Sequence, residues 1–139
     1  MPDLPRVADL FDAYRQFYGQ PADPDGARQF LRERLQAGDS VVLVAEREKR
    51  LVGFAQLYPA FSSASMKRLW ILNDLFVVPA QRRSGVARAL MAAAEDLARA
   101  TGGKGLTLAT QKTNAAAKAL YEAQGWTRDD TFDHYDRYF

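Results

Sequence analysis

At Gly38 the spacing of apolar residues along this 139-residue chain shifts from a helical period to a strand period, and at Ser84 it shifts back. No all-helical or all-strand architecture accommodates both. Residues 4–18 place Val7, Leu10, Phe11, Tyr14 and Phe17 at helical spacing. Residues 23–35 set Ala27, Phe30, Leu31 and Leu35 on one side of a second helix, which Gly38 ends. Residues 41–45 and 51–58 are β-rich runs joined by the charged stretch 46–50, a hairpin pattern, and residues 67–78 form a longer strand stopped by Pro79. Helical spacing then runs through Val86, Leu90, Ala93 and Leu97 to Gly102 and Gly103. Residues 106–109 read as a short strand. Residues 114–124 read as a helix with Asn114 at its N-cap and Gly125 at its end, and the aromatic tail 132–139 as a last strand. This order predicts one mixed α/β domain over residues 1–139, a central sheet with helices on its faces.

Composition removes several function classes. The absence of cysteine excludes disulfides, thiolate metal sites and a cysteine nucleophile, and a single histidine excludes a multi-histidine metal site. The longest uncharged run, residues 51–66, contains Pro59 and three serines, so no membrane-spanning helix is expected. The first residues lack the basic start and apolar stretch of a secretory signal, and a cytoplasmic protein is expected.

A net charge of +2 is too small to point to nucleic acid, but the charges are unevenly placed. Residues 82–118 hold seven basic side chains against Glu95 and Asp96, whereas residues 119–139 hold two basic against five acidic. No aromatic-basic interleaving of the kind that binds single-stranded nucleic acid accompanies the basic segment. The basic excess reads either as a solvated face or as the surround of an anion site, because residues 73–87 run from strand through tight turn into helix. Such a turn presents backbone N–H groups at a helix N-terminus, Gly85 permits close approach of a phosphate, and Arg82 and Arg83 add charge.

Neither a Gly-x-Gly-x-x-Gly nor a Gly-Lys-Ser/Thr fingerprint follows any strand, and no Gly-x-Ser-x-Gly elbow is present. Nucleotide hydrolysis, hydride transfer and serine hydrolysis lose their support. What remains, Arg82-Arg-Ser-Gly85-Val-Ala87, resembles the Gln/Arg-x-x-Gly-x-Gly/Ala loop of the GCN5-related N-acetyltransferase superfamily. A second family feature, Asn followed by a helix with Leu-Tyr and then Gly-aromatic, is matched by Asn114, Leu120, Tyr121, Gly125 and Trp126. Arg83 stands where many members carry glycine, which asks for a turn with negative φ at that residue.

The resemblance implies a mixed, mostly antiparallel sheet flanked by helices. The family's first edge strand should be missing or short here, because helical spacing begins at Leu4. It also implies acetyl-CoA as co-substrate, without a metal. The backbone of Leu75, Phe76 and Val77 would pair with the pantetheine arm. The main chain from Arg83 through Ser84, Gly85, Val86, Ala87 and Arg88 would cradle the pyrophosphate beside Arg82, and Asn114 would add to the cofactor cleft. Tyr121 matches the family tyrosine that protonates the departing thiolate.

A primary amine is almost fully protonated at neutral pH, so a base must take a proton before attack. The candidates are Asp74 and a water held by Asn73. Strand alternation sets these neighbours on opposite faces unless a bulge intervenes. The implied function is direct acetyl transfer to a primary amine of a small molecule, polyamine-like or amino-acid-like, or of a peptide. A catalytically silent acyl-CoA sensor is the alternative. No nucleic-acid or membrane partner is expected, and the exposed sheet edge with the aromatic tail predicts a homodimer.

Overall fold

The computed structural model describes residues 3–139, which fall into a larger unit ending at Ala109 and a smaller one from Thr110 to Phe139. In the larger unit, helix α1 (Leu4–Phe17) leads to α2 (Pro24–Ala37), then strands β1 (Val41–Arg47), β2 (Arg50–Ser62) and β3 (Lys67–Val77). A 3-10 turn (Pro79–Gln81), helix α3 (Val86–Ala100) and strand β4 (Gly105–Thr107) complete it. The sheet order is β1-β2-β3-β4, antiparallel except for the short parallel β3–β4 pairing. No strand precedes α1 among the described residues, so β1 forms the sheet edge.

The boundaries follow local chemistry. Asp23 caps α2, its carboxylate accepting the Gly26 N–H at 3.0 Å, and Pro24 at the first helical position loses no intrahelical bond. Gly38, at φ 69°, closes the helix in the left-handed region that a side chain would resist. Both helices cover one face of the sheet. Val7, Leu10 and Phe11 of α1 and Ala27 and Leu31 of α2 pack on Phe54 of β2 and Phe76 of β3, each large side chain contributing about 1.5–3 kcal/mol by burial.

Helix α3 covers the other face. A Cβ on Gly53 of β2 would lie 3.1 Å from Val86 and 3.3 Å from Leu90, so glycine is needed for this approach. Trp70 of β3 also points this way, its indole N–H donating to Thr101 Oγ1 at 2.9 Å beyond the end of α3.

The smaller unit holds α4 (Ala115–Ala123), capped by Asn114, whose Oδ1 accepts the Ala117 N–H at 3.1 Å. Two strand expectations need correction. The strand expected at residues 106–109 is confined to Gly105–Thr107, because only Leu69, Trp70 and Ile71 of β3 pair with it. The aromatic tail 132–139 forms no strand. Aromatic content supplies a propensity but not a partner, and the Asp129 carboxylate takes the N–H groups of Thr131 and Phe132 at 2.9 and 3.2 Å, which turns the chain locally. Among the described residues no helix is long and apolar enough to cross a membrane. No group of three or more His, Cys, Asp or Glu side chains there is placed to hold a metal ion.

Candidate active site

The site begins with one extra residue. In β3, Leu72 pairs with Leu57 and Asp74 pairs with Gln56, so Asn73 has no opposite number and forms a β-bulge. Up to the bulge, alternation carries Trp70 and Leu72 onto the α3 face. Past it, Asp74 and Phe76 turn to the face covered by α1 and α2. Were Asn73 paired in regular alternation, the carboxylate would follow Leu72 to the α3 face. With the bulge, Asn73 and Asp74 line one cleft of about 450 Å³ under the first two helices.

Aromatic side chains wall this cleft, with Phe11 and Tyr14 from α1, Phe30 from α2 and Tyr58 from β2. Asp74 is 4% exposed, and its oxygens are held by Gln56 Nε2 at 2.7 Å and Asn73 Nδ2 at 3.1 Å. Gln56 is fully buried and accepts the Ser40 hydroxyl at 2.7 Å. A buried carboxylate left without donors would cost at least about 1–3 kcal/mol, so this network lets the charge reside there.

Burial pushes the Tyr14 phenol well above the usual tyrosine range, and the adjacent Asp74 charge and a hydrogen bond to it push the same way. Tyr58 is pushed up to about 12, first by burial and then by Asp74. Both tyrosines therefore present neutral hydroxyls at physiological pH. Arg15, which also lines the cleft, faces Asp12 at 3.5 Å and donates to the Pro21 carbonyl at 3.3 Å.

Sequence reasoning missed Tyr14 and Gln56 as site residues. Tyr14 reads as one more apolar position in a helical stripe. Gln56 had a usable signal, since it is the one amide in the apolar run 51–58.

The strand edge beyond the bulge is open. Pairing of β3 with β4 ends at Ile71, and alternation decides which later residues face that edge. Val78 N–H bonds to Val52 of β2 at 2.9 Å, so by alternation the Phe76 backbone also turns toward β2. The backbone groups of Leu75 and Val77 face the other way. The Val77 carbonyl already accepts Arg82 Nε at 3.0 Å, and the Arg82 guanidinium lies 5.1 Å from the Phe17 ring and 5.7 Å from the Phe76 ring. Arg82 is thus a strut for the turn as well as a charge.

After the turn, Gly85 at φ 86° opens α3, whose first intrahelical bond runs from Ala89 N–H to the Gly85 carbonyl. The N–H groups of Val86, Ala87 and Arg88 precede that bond, and no acidic residue lies in the first turn. Arg83, Ser84 and Arg88 are exposed. Ser84 Oγ donates to the Gln81 carbonyl, and Arg47 of β1 grips the loop from below. The donor set fits a pyrophosphate: free N–H groups, a helix dipole and two exposed guanidinium groups.

Arg83 corrects an expectation, for its φ is +63° rather than negative. The tight link between the 3-10 turn and α3 requires a left-handed residue at this point, which is why glycine suits the position.

In the smaller unit, Tyr121 lies two turns along α4 from Asn114. The Tyr121 ring packs at 6.1 Å from Trp126, whose backbone N–H bonds to the Tyr121 carbonyl at 3.0 Å. The helix end thereby fixes the tyrosine backbone. Asn114 spends Oδ1 on its cap and keeps its amide N–H₂ as a donor group.

Comparison with known proteins follows the same lines. A model of the Acetyltransferase (GNAT) family matches residues 7–126. The chain is 50% identical over 133 residues to the uncharacterized N-acetyltransferase YhfO of Bacillus subtilis (strain 168), covering 96% of this chain and 89% of that protein. It is 32% identical over 114 residues to an aminoglycoside N(6')-acetyltransferase type 1 of Klebsiella aerogenes, covering 75% of each. The crystal structure of a probable acetyltransferase superposes with a TM-score of 0.93 at 40% identity, covering 100% of this chain and 93% of that one. A bulged strand, an open strand edge and a glycine-started helix within a match of this extent leave one assignment: the chain belongs to the Acetyltransferase (GNAT) family and is an N-acetyltransferase.

Proposed function

We propose that the protein transfers an acetyl group from acetyl-CoA directly to the primary amine of a small cationic acceptor. The observation that carries this reading is the bulge at Asn73, which sets Asp74 in an aromatic cleft immediately beyond the last β3–β4 pair. Rings of Phe11, Tyr14, Phe30 and Tyr58 favour a cation through their π faces, and the Asp74 carboxylate supplies the opposite charge. The aminoglycoside named in one relative is likewise an acceptor bearing amino groups. Phe132, Tyr135, Tyr138 and Phe139 are exposed, which supports a homodimer, and the family match across both units supports a single domain.

The chain's residues divide the reaction. The backbone of Leu75 and the N–H of Val77 align the pantetheine arm, and the N–H groups of Val86, Ala87 and Arg88 with Arg83 hold the pyrophosphate. Asp74, directly or through a water on Asn73, takes one proton from the acceptor ammonium. The freed nitrogen lone pair forms the C–N bond as the C–S bond breaks, Tyr121 gives its proton to the departing sulfur, and the second proton that the nitrogen sheds on becoming an amide passes to water, from which the Tyr121 phenolate regains its own. Direct transfer needs no covalent enzyme intermediate.

The test is mass spectrometry of an amine panel incubated with acetyl-CoA and the full chain. Diamines and amino sugars should gain one acetyl mass, and acetyl-CoA alone should raise the melting temperature by mass action. Thermal stabilisation without turnover on any amine would reassign the protein as an acyl-CoA sensor.

A further inference from the structure

Three buried polar side chains run in a line that ends on the carboxylate. Ser40 Oγ donates to Gln56 Oε1 at 2.7 Å, and Gln56 Nε2 donates to Asp74 Oδ2 at 2.7 Å. Their exposures are 7%, 0% and 4%, so the chain of bonds lies within the protein. Gln56 and Asp74 are direct cross-strand partners. Rotating the amide by half a turn would set Gln56 Oε1 against Asp74 Oδ2, two acceptors at hydrogen-bond distance. The Asp74 charge therefore fixes the orientation of the amide, and Ser40 completes it from the far end.

We infer that Gln56, oriented by Ser40, is the positioning residue for the proton acceptor: it pins the Asp74 carboxylate toward the cleft. This rests on the reading of Asp74 as the group that takes the ammonium proton. A deletion of buried polar atoms from β2 that served packing alone would change stability only. A positioning role moves catalysis with pH. Donors on a carboxylate favour ionisation, and removing one shifts its titration toward higher pH.

The experiment measures kcat against pH, with an acceptor identified by the panel above, for the wild type, Asp74→Asn, Gln56→Leu, Ser40→Ala and Ser40→Thr. Gln56→Leu should lower kcat by about tenfold to a hundredfold and move the acid limb of the profile to higher pH, with KM for acetyl-CoA unchanged. Ser40→Ala should move both in the same direction by less, and Ser40→Thr, which keeps the hydroxyl, should restore them. If Gln56→Leu does not fold, the two Ser40 variants decide the matter. An unmoved acid limb in Gln56→Leu or Ser40→Ala, alongside a crippled Asp74→Asn, overturns the positioning role. A fully active Asp74→Asn overturns instead the assignment of the proton acceptor on which it rests.

Discussion

Arg47, the last residue of β1, donates from Nη2 to the Ser84 carbonyl at 3.0 Å while its Nη1 reaches Gln81 Oε1 at 2.9 Å. One guanidinium thus ties the first hairpin to the loop that opens α3. The two N–H groups are spaced to hold both carbonyl oxygens at once, which a lysine cannot reproduce. Arg47→Ala should weaken acetyl-CoA binding by about three- to tenfold, the equivalent of one modest hydrogen bond. Titration calorimetry checks it. The KM for the amine should stay unchanged, because Arg47 does not line the aromatic cleft.

Arg83 holds a positive φ without being glycine, at a backbone cost of about 1–2 kcal/mol. Arg83→Ile, which adds branching at Cβ, should lower stability by a further amount of that order in urea denaturation. Arg83→Gly should leave stability within about 1 kcal/mol of the wild type, since relief of strain is offset by a more flexible unfolded chain. Both substitutions remove a charge. Both should therefore flatten the salt dependence of acetyl-CoA binding.

The tyrosines of the cleft make stability depend on pH at the alkaline end. Tyr58 is raised from its ordinary value of 10.0 to about 12, so between these values the unfolded chain releases a proton that the folded one retains. Stability from this source is fully present below pH 10.0 and is lost as pH rises toward about 12. Tyr14 acts with the same sign. Denaturation curves collected across this range should show a shallower loss in Tyr58→Phe than in the wild type. In Asp74→Asn, ultraviolet absorbance should find both phenols ionising at lower pH than before.

Tyr121→Phe removes a hydroxyl and keeps the ring that packs against Trp126. The expected loss in kcat is about tenfold to several-hundredfold, with cofactor affinity and melting temperature little changed. A thiolate with a pKa near 8.5 is already a fair leaving group, which keeps the effect at or below the range for a lost general acid. Full kcat with a lowered melting temperature would make Tyr121 a packing residue.

Most of the larger unit is legible from residue spacing. The stripe Val7, Leu10, Phe11, the start of the second helix near residue 23 and the break at Gly38 each act locally, within a turn or two, and the structure follows them. The bulge is different in kind. Whether Asn73 is paired or extra depends on how β2 and β3 are registered over residues 53–62 and 67–77, and no local pattern in either strand encodes that count. Tyr14 became visible as a site residue only once the bulge had turned Asp74 toward it. The tail failed for the opposite reason: its aromatics carry strand propensity, while Asp129 offers the backbone a nearer partner than any neighbouring strand.

Phe76 sits between the two halves of the chemistry. Its ring meets Tyr14 of the acceptor cleft at 6.1 Å between centroids and carries the Arg82 guanidinium of the cofactor turn at 5.7 Å. Acceptor choice and cofactor grip consequently share a foundation. Mutational drift that widens the cleft for a new amine can proceed freely at Phe30, at the rim. The same drift at Phe76 would loosen the pyrophosphate turn in the same step. On the proposed reading, evolvability toward new acceptors is confined to the helical side of the cleft, and the strand side is held in place by the donor molecule that all those acceptors would have in common.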